Sequence, residues 1–453
     1  MKKRPNILWI FSDQQPAYTL GCNGDPNSRT PNLDRLAGSG FNFRNAVSGF
    51  PLCCPFRGSL LTGLYPQHCV PGHEYQMPPE LPTAADCFNA AGYDTAYFGK
   101  WHLDGMKEHI TPRVGKEVIP RERRGRFGRW LGYENNNMQF DCYVHGHLDA
   151  ATEVPVTRLP GYETDSLTDY LLDYLREPGR EEKPFFAVLS VQPPHNPYLA
   201  PAEYQRRYQP QEIKLRPNVA HTPAVEDKVR HDLAGIYAMI ENLDDNVGRI
   251  WNCLRENDLD RDTWILFFSD HGDMHGSHGQ FKKTSPWQES SNVPFIVWGG
   301  PAYRPMGHYD SAKIDDPINH VDILPTSLGL AGVEVPKELP GFDYSGILRG
   351  EPVADRPQSA YLQLVIPTGH GDSIDRPYRG VTTRDGWKYV CTEEGDWLLF
   401  DLNTDPHEEC NLAFNSKFSR KREELRKMTA GWIEKTQDQF SFPYSNDNGA
   451  CRR

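Results

Sequence analysis

The sequence lacks any apolar run long enough to cross a membrane. A membrane-spanning helix needs roughly 20 apolar residues, and the apolar run nearest the N-terminus covers only residues 7–11. A secretory signal would also need a longer apolar segment and a cleavage site of small residues. These absences exclude a membrane protein. They predict a cytoplasmic location, or a periplasmic or secreted one if a signal has been removed.

Basic residues are in the minority, which excludes nucleic acid as the main partner. The chain has 49 Lys and Arg against 61 Asp and Glu, with a formal net charge of -12, whereas a phosphate backbone requires a basic protein face. An anionic substrate must therefore meet a local positive site. The strongest basic run is residues 121–129, which we interpret as a solvated loop or as a contact for an anionic substrate or partner subunit.

Cysteines are few, and no internal repeat or low-complexity segment is present. Ten cysteines in 453 residues form neither the dense spacing of a disulfide scaffold nor paired CxxC zinc motifs. With 38% hydrophobic residues, the composition is typical of a soluble globular protein with one large and one small domain. The conspicuous cysteine feature is the adjacent pair Cys53 and Cys54.

Three continuously apolar segments predict strands that are buried on both faces. They are residues 6–11, 185–191 and 264–268. Helical patterns at residues 165–176 and 225–257 separate them. Strands alternating with helices predict an α/β fold with a large, mostly parallel central sheet flanked by helices.

The pattern changes after about residue 350. Residues 378–390 and 396–402 predict short strands, and residues 417–435 predict a charged helix. We therefore predict an α/β catalytic domain over residues 1–350 and a smaller C-terminal subdomain, with an antiparallel sheet and a helix, over residues 351–453.

Polar side chains follow each of the three predicted strands. Asp13 comes after the first, His195 after the second, and Asp270 after the third. Ligands of open α/β sheets bind beyond the carboxyl ends of the strands, and aspartates are hard oxygen ligands for calcium or magnesium. A single aspartate would be interpreted as a cap or a loop contact. Two in matching positions predict a metal site.

Residues 53–63, CCPFRGSLLTG, resemble the signature of the type I sulfatases. That signature has Cys, a variable residue, Pro, usually Ser, and Arg, followed by Leu-Thr-Gly. Cys53 has the required spacing to Pro55 and Arg57, Cys54 stands at the variable position, and Phe56 stands where the family usually has Ser. The alternative is a free, buried cysteine pair with no chemical role.

Residues 91–103, AGYDTAYFGKWHL, resemble the second signature of the same family. Further matches at residues 30–36, 319–326 and 399–406 occur in the family order. The chain therefore resembles the formylglycine-dependent sulfatases of the alkaline phosphatase superfamily over nearly its whole length.

The resemblance implies a mechanism and a set of site residues. Cys53 would be oxidised to formylglycine by a formylglycine-generating enzyme, and the hydrated aldehyde would attack sulfur and later release sulfate. The catalytic residues implied are Cys53, Arg57, Lys100, His102, His195 and Lys283. Those implied to bind the substrate are Lys100, His195 and Lys283. The metal ligands implied are Asp13, Gln14, Cys53, Asp270 and His271.

The departures from the family pattern concern the metal and one lysine. The family usually has a second Asp where Gln14 stands, while His271 occupies a usual Asn or His position. By resemblance we expect one divalent metal, Ca²⁺ first, with Mn²⁺ or Mg²⁺ as alternatives. A nitrogen ligand from His271 would shift the preference towards Mn²⁺ or another transition metal. Spacing assigns the sulfate-binding role to Lys283, which leaves Lys282 as a surface residue.

The substrate class stays open between several possibilities. A small-molecule or saccharide sulfate ester is expected. A phosphodiesterase or phosphonate monoester hydrolase of the same superfamily is the alternative enzyme, and a catalytically silent binder of a sulfated ligand follows if Phe56 blocks oxidation of Cys53. Specificity should come from loops at residues 104–165 and 360–380. Further candidates in these two loops are His145, His147, His370 and Asp372. Asp273, His275 and His278, which follow Asp270, are interpreted as loop or substrate-pocket residues.

Overall fold

The computed structural model describes residues 4–303, 312–369 and 373–443. Within these ranges the chain forms a ten-stranded sheet with helices on both faces, a two-stranded sheet, and a separate four-stranded antiparallel sheet near the C-terminus. This arrangement confirms the predicted fold class. His370 and Asp372 lie outside the described residues.

The strands include all five segments that the sequence predicts, together with others that it does not. In chain order they are β1 (Asn6–Ser12), β2 (Phe41–Phe43), β3 (Ala46–Val47), β4 (Asp94–Lys100), β5 (Arg129–Tyr133), β6 (Tyr143–His147), β7 (Glu153–Arg158), β8 (Phe185–Ser190), β9 (Thr263–Ser269), β10 (Phe295–Gly299), β11 (Ala312–Ile314), β12 (Ile318–Asn319), β13 (Ser359–Leu364), β14 (Tyr378–Thr383), β15 (Trp387–Thr392) and β16 (Gly395–Asp401). The three apolar segments form β1, β8 and β9. The segment 378–390 contains two strands instead of one, because the chain turns at Gly386, whose φ of 84° suits glycine.

The helices include both of those predicted between the strands. They are α1 (Pro31–Gly38), α2 (Cys53–Thr62), α3 (Ala84–Ala90), α4 (Glu163–Leu175), α5 (Ala202–Gln205), α6 (Pro223–Glu256), α7 (Gln288–Ser291), α8 (Ile323–Ala331), α9 (Ser345–Leu348) and α10 (Ser419–Lys435). None of the helices in the described ranges is both long and apolar enough to cross a membrane.

The order of strands in the large sheet places several chain segments at one edge. The order is β11-β2-β10-β9-β1-β8-β4-β5-β6-β7. β1 pairs in parallel with both β8 and β9, and β8 pairs in parallel with β4. The carboxyl ends of β9, β1, β8 and β4 therefore meet at the same edge, although these strands are far apart in sequence.

The central strand β1 is apolar throughout because both of its faces are covered. Ile7, Trp9 and Phe11 pack into the core that includes residues of α2, α3 and α8. Leu8 and Ile10 point to the opposite core, which includes residues of α1, α4 and α6. Burial on both faces explains why the strand reads as a continuous apolar run instead of an alternating one.

The four-stranded sheet, β13-β14-β15-β16, packs against the segment that follows the large sheet's β9. The hydroxyl of Tyr378 donates to the carbonyl oxygen of Thr284 at 3.1 Å, and Nζ of Lys388 donates to that of Pro286 at 2.8 Å. Lys388 is fully buried and also forms an ion pair with Glu408 at 2.7 Å. The small sheet thus fixes the backbone immediately after Lys283.

Candidate active site

Asp13 and Asp270 follow β1 and β9 and meet in the interior of the protein. Ser12 and Ser269 are register partners at the ends of these strands, so the two aspartates come next to one another. Nη2 of Arg57, one turn into α2, donates to Oδ2 of Asp13 and of Asp270, in both cases at 3.1 Å. All three side chains are buried. Because two desolvated carboxylates repel each other, this arginine is needed to offset their charge.

Asp13, Cys53, Asp270 and His271 form a cluster that fits a metal ion. Their ligand atoms all lie within 4.8 Å of one another. The Nδ1–H of His271 donates to the carbonyl oxygen of Gly272 at 2.9 Å, which leaves the Nε2 lone pair directed at the cluster. Such a carbonyl partner is typical of metal-binding histidines. Two carboxylates and one imidazole suit a divalent metal.

The electrostatics of His271 also favour a cation at this position. Its Nε2 lies 3.6 Å from Oδ1 of Asp13, 3.7 Å from Oδ1 of Asp270 and 3.1 Å from Sγ of Cys53. Burial lowers the pKa of His271, but Asp270 and Cys53 outweigh burial and raise the pKa above its usual value. A bound metal would take the place of that proton.

Gln14, predicted as a metal ligand, has its side-chain amide held from two sides. Its Nε2 donates to Oδ2 of Asp273 at 2.9 Å, and its Oε1 accepts from Nζ of Lys283 at 3.1 Å. Its backbone N–H donates to Oδ1 of Asp270 at 3.0 Å, and its φ is 68°. Asp273, interpreted from the sequence as a loop or pocket residue, thus positions Gln14.

Cations surround the position of Cys53. Cys53 is the first residue of α2, and its Sγ accepts from Nζ of Lys283 at 3.5 Å. Nζ of Lys100, at the end of β4, lies 2.7 Å from Oδ2 of Asp13. Burial raises the pKa of Asp13, but the cations Lys100, Arg57 and Lys283 together hold it well below its usual value. The carboxylate is therefore ionised.

Arg57 is anchored by a contact that the sequence does not reveal. Its Nη1 donates to the carbonyl oxygen of Lys100 at 2.9 Å and to Oγ of Ser190 at 2.8 Å. The Ser190 hydroxyl in turn donates to the same carbonyl at 2.8 Å. Ser190 is the last residue of β8, where no sequence motif marks it. Its role depends on the pairing of β4 with β8.

His102 and His195 are both buried and electrically neutral. Burial and then Lys100 lower the pKa of His102 well below its usual value, and burial and then Lys283 do the same to His195. The Nδ1–H of His195 donates to the carbonyl oxygen of Asn196 at 2.8 Å, so its Nε2 accepts from Nζ of Lys283 at 3.0 Å. Neither ring nitrogen of His102 has a hydrogen-bond partner among the described residues. His102 can therefore accept a proton.

A cavity of about 190 Å³ opens onto this cluster. Cys53, His102, His195 and Lys283 line it, as the sequence predicts for site residues. Residues that the motifs did not single out also line it: His73, Glu108, Asn135, Asn137, Lys282 and Ser373. Lys282 was expected at the surface, yet it is half-buried and its Nζ donates to Oδ1 of Asn196 at 3.4 Å. Four of these lining residues, Glu108, Asn135, Asn137 and Ser373, lie in the loops that are predicted to set specificity.

Comparison with known families shows the family to which the chain belongs. Residues 5–333 match the family model of the sulfatases, and residues 276–435 match that of the C-terminal part of N-sulphoglucosamine sulphohydrolase. The chain belongs to the sulfatase family. It is a sulfuric ester hydrolase, an enzyme that hydrolyses sulfate esters.

Relatives of this sulfatase match it over most of its length. An ulvan-active sulfatase of Formosa agariphila is 35% identical over 93% of this chain and 80% of its own length. An endo-4-O-sulfatase of Bacteroides thetaiotaomicron is 30% identical over 90% of this chain and 88% of its own. The crystal structure of a phosphonate monoester hydrolase of Agrobacterium radiobacter, 22% identical, has a TM-score of 0.76 over 96% of this chain and 97% of that one. That last similarity shows the fold alone.

The basic run of the sulfatase is neutralised by neighbouring carboxylates. Arg121 and Arg124 pair with Glu153 at 3.0 and 2.9 Å. The other arginines pair in the same way: Arg123 with Asp104, Arg126 with Asp86, and Arg129 with Glu177. None of the five is among the described residues that line the catalytic cavity. The run is therefore a structural element of this surface.

His145 and His147 likewise support the fold of the sulfatase instead of lining its cavity. Both lie on β6 and are buried. Nε2 of His145 accepts from the backbone N–H of Ile119 at 2.8 Å, and Nε2–H of His147 donates to the carbonyl oxygen of Phe127 at 2.9 Å. These contacts hold the loop between β4 and β5. His275 and His278, the other histidine candidates within the described residues, also remain outside the cavity lining.

Phe56, the departure from the sulfatase signature, is a core residue. Its side chain is buried, and its ring packs against His320 with centroids 5.4 Å apart and against Phe268 at 6.3 Å. It is not among the described residues that line the cavity. The aromatic side chain fills space between α2 and the large sheet and leaves the cavity side of Cys53 open.

Proposed function

We propose that this sulfatase hydrolyses the sulfate ester of a saccharide, with an oxidised Cys53 as the source of its nucleophile. The observation that carries the proposal is the buried cluster in which Arg57, Lys100 and Lys283 surround Cys53 and the two aspartates. Relatives named as an ulvan-active sulfatase, an endo-4-O-sulfatase and an N-acetylglucosamine-6-O-sulfatase support a saccharide.

Cys53 is the residue that we expect a formylglycine-generating enzyme to oxidise. As the hydrate, formylglycine supplies one hydroxyl that attacks sulfur and a second that allows sulfate to be released. Cys53 stands at the start of α2, where unpaired backbone N–H groups carry a partial positive charge that favours an anion. The cavity in front of it admits a terminal sulfate group.

Asp13, Asp270 and His271 would hold the divalent metal, with Gln14 and Cys53 as further predicted ligands. The metal, Ca²⁺ by family resemblance or Mn²⁺ or Mg²⁺, supplies positive charge at the sulfate oxygens. The mutual distances of Asp13, Cys53, Asp270 and His271 support these four as ligands. These residues, like the proposed catalytic ones, all fall within residues 1–350, the predicted catalytic domain.

The cationic side chains stabilise charge, and the histidines, with Lys283, transfer protons. Lys100, Lys283 and Arg57 stabilise the negative charge that builds up around sulfur in the transition state. Lys283 and His195, in contact at 3.0 Å, can deliver a proton to the departing alcohol oxygen. The ring nitrogen of neutral His102 that carries no hydrogen accepts the proton that must be removed before sulfate leaves, and it has no hydrogen-bond partner among the described residues.

We expect aryl sulfates to be hydrolysed with a kcat/KM at least roughly tenfold above that of aryl phosphodiesters, a difference of about 1.4 kcal/mol. A sulfate ester offers three non-bridging oxygens to the cations of the site. A phosphodiester offers two, and its second substituent must enter a cavity of about 190 Å³. Parallel assays of matched nitrophenyl esters measure the ratio, with the Cys53→Ala variant as background. Faster hydrolysis of the diester would overturn the assignment of sulfate.

The pH dependence of kcat tests the role of His102. Because burial and Lys100 lower its pKa, the neutral, proton-accepting form should persist as the pH falls below 6.5, the usual histidine value. We therefore expect kcat to stay level through that pH and to decline only in more acidic solution. A profile over about pH 5 to 8 covers the range in which an ordinary histidine titrates. A decline centred near the usual value would contradict this role.

A further inference from the structure

A second cluster of ligating side chains lies beside the catalytic cavity. Ligand atoms of Cys54, His73 and His102 all lie within 4.8 Å of one another. Sγ of Cys54 is 3.8 Å from Nδ1 of His73, and the rings of His73 and His102 are 5.7 Å apart at 85°. The cluster shares no residue with the site formed by Asp13, Asp270 and His271.

The donor atoms of this cluster select a different class of metal from the first. One thiol and two imidazoles suit zinc, whereas calcium and magnesium prefer carboxylate oxygens such as those of Asp13 and Asp270 in the first cluster. Tetrahedral zinc, with bonds of about 2.3 Å to sulfur and about 2.0 Å to nitrogen, separates those two atoms by about 3.5 Å. The observed 3.8 Å between Cys54 and His73 is close to that separation.

The surroundings of the cluster also favour a bound cation. His102 is 2% exposed, and neither of its ring nitrogens has a hydrogen-bond partner among the described residues. Burial raises the pKa of the Cys54 thiol well above its usual value, while the backbone N–H of Glu74, which donates to Sγ at 3.4 Å, acts in the opposite direction. Oε1 of Glu108 lies 3.7 Å from Nε2 of His102 and adds a negative charge beside the cluster. The cluster thus offers three protein ligands, which leaves the fourth position of a tetrahedral zinc ion to water.

We propose that Cys54, His73 and His102 bind one Zn²⁺ ion and that this ion inhibits the sulfatase. The ion enters through the catalytic cavity, which both histidines line. It bonds to the sulfur of Cys54, whose thiol proton passes to solvent, and to one nitrogen of each histidine, with no change of oxidation state. Inhibition rests on the proposed function, because a zinc-bound His102 cannot accept a proton. The binding of zinc itself does not depend on the proposed function.

Binding is tested in a Cys53→Ala background, which removes the other thiol of the site and any dependence on its oxidation. With excess Ca²⁺ present, Zn²⁺ uptake is measured by equilibrium dialysis, and Co²⁺ serves as a spectroscopic probe of thiolate ligation. We expect a thiolate-to-cobalt charge-transfer band that zinc displaces. Adding Cys54→Ala should abolish it, whereas Cys253→Ala, which removes another buried thiol on α6, should not. An unchanged band and unchanged uptake after Cys54→Ala would overturn the site.

Inhibition is tested on the mature enzyme with saturating Ca²⁺. Cys54→Ala should keep the basal rate, because position 54 is the variable position of the signature. It should raise the Zn²⁺ concentration that gives half inhibition roughly tenfold or more, which is the effect expected when even an indirect contact to a metal is lost. His73→Gln provides a second variant, scored by the same cobalt band, if thermal unfolding shows that Cys54→Ala is misfolded. Equal zinc sensitivity of the correctly folded variants and the wild type would overturn the proposal. An inactive wild type that still binds zinc would instead point to a fault in the proposed function.

Discussion

Replacing Cys53 with alanine is expected to lower the turnover of a sulfate ester by a factor on the order of 10⁵ or more, the scale observed when an enzyme loses its nucleophile. Alanine cannot be oxidised to formylglycine, so the oxygen nucleophile is not formed. The neighbouring cations and aspartates remain in place, since Arg57 keeps its contacts to Asp13, Asp270 and Ser190. The variant should therefore still bind the product sulfate. Steady-state kinetics with an aryl sulfate and calorimetric titration with sulfate measure the two effects.

The adjacent cysteine supplies the matched control. Cys54 has the same chemistry and is equally buried, but its spacing to Pro55 and Arg57 does not fit the signature. Cys54→Ala should therefore retain activity and should show the mass change of oxidation at Cys53 by peptide mass spectrometry. Full turnover by Cys53→Ala, or loss of turnover by Cys54→Ala alone in a folded protein, would show that the nucleophile has been assigned to the wrong residue.

The strand-end residues could be predicted from the sequence because their position follows from local pattern and a general rule of topology. Asp13, His195 and Asp270 each follow an apolar run, and parallel strands present their carboxyl ends to one edge. The structure brings them together because β1 lies between β8 and β9. The sequence alone could not show that these three strands are neighbours. The general rule made their placement at one edge an expectation, and the resemblance to a family added the role of each residue.

Partners that depend on side-chain packing could not be predicted. Ser190 contacts Arg57 only because β8 lies beside β4, and no local pattern distinguishes it from other strand serines. The same holds for His73, which lies in an irregular loop after α2 but reaches the cavity. The ion pairs formed by the arginines of residues 121–129 could not be predicted either, because their carboxylate partners are distant in sequence.

Asp270→Asn is expected to reduce kcat/KM for a sulfate ester roughly 10³-fold, equivalent to about 4 kcal/mol of transition-state stabilisation lost with the metal. Asparagine has nearly the same shape as aspartate. Its amide oxygen can still accept from the backbone N–H groups of Gln14 and His271, which in the wild type donate to Oδ1 of Asp270 at 3.0 and 2.9 Å. What is lost is one of two negative charges that would hold a divalent cation, together with the Oδ2 atom that accepts from Nη2 of Arg57 at 3.1 Å. Metal content after dialysis, measured by mass spectrometry, should fall together with activity.

A buried aspartate outside the site separates this loss from a general loss of stability. Asp244 on α6 accepts from the backbone N–H groups of Asn32 and Leu33 at 3.0 and 2.7 Å and so fixes the start of α1. Asp244→Asn should lower the unfolding temperature while metal content and kcat stay close to those of the wild type. If Asp270→Asn instead kept its metal and its rate, the charge of Asp270 would not be needed at the site. The cluster formed with Asp13 and His271 would then be a structural ion-pair network.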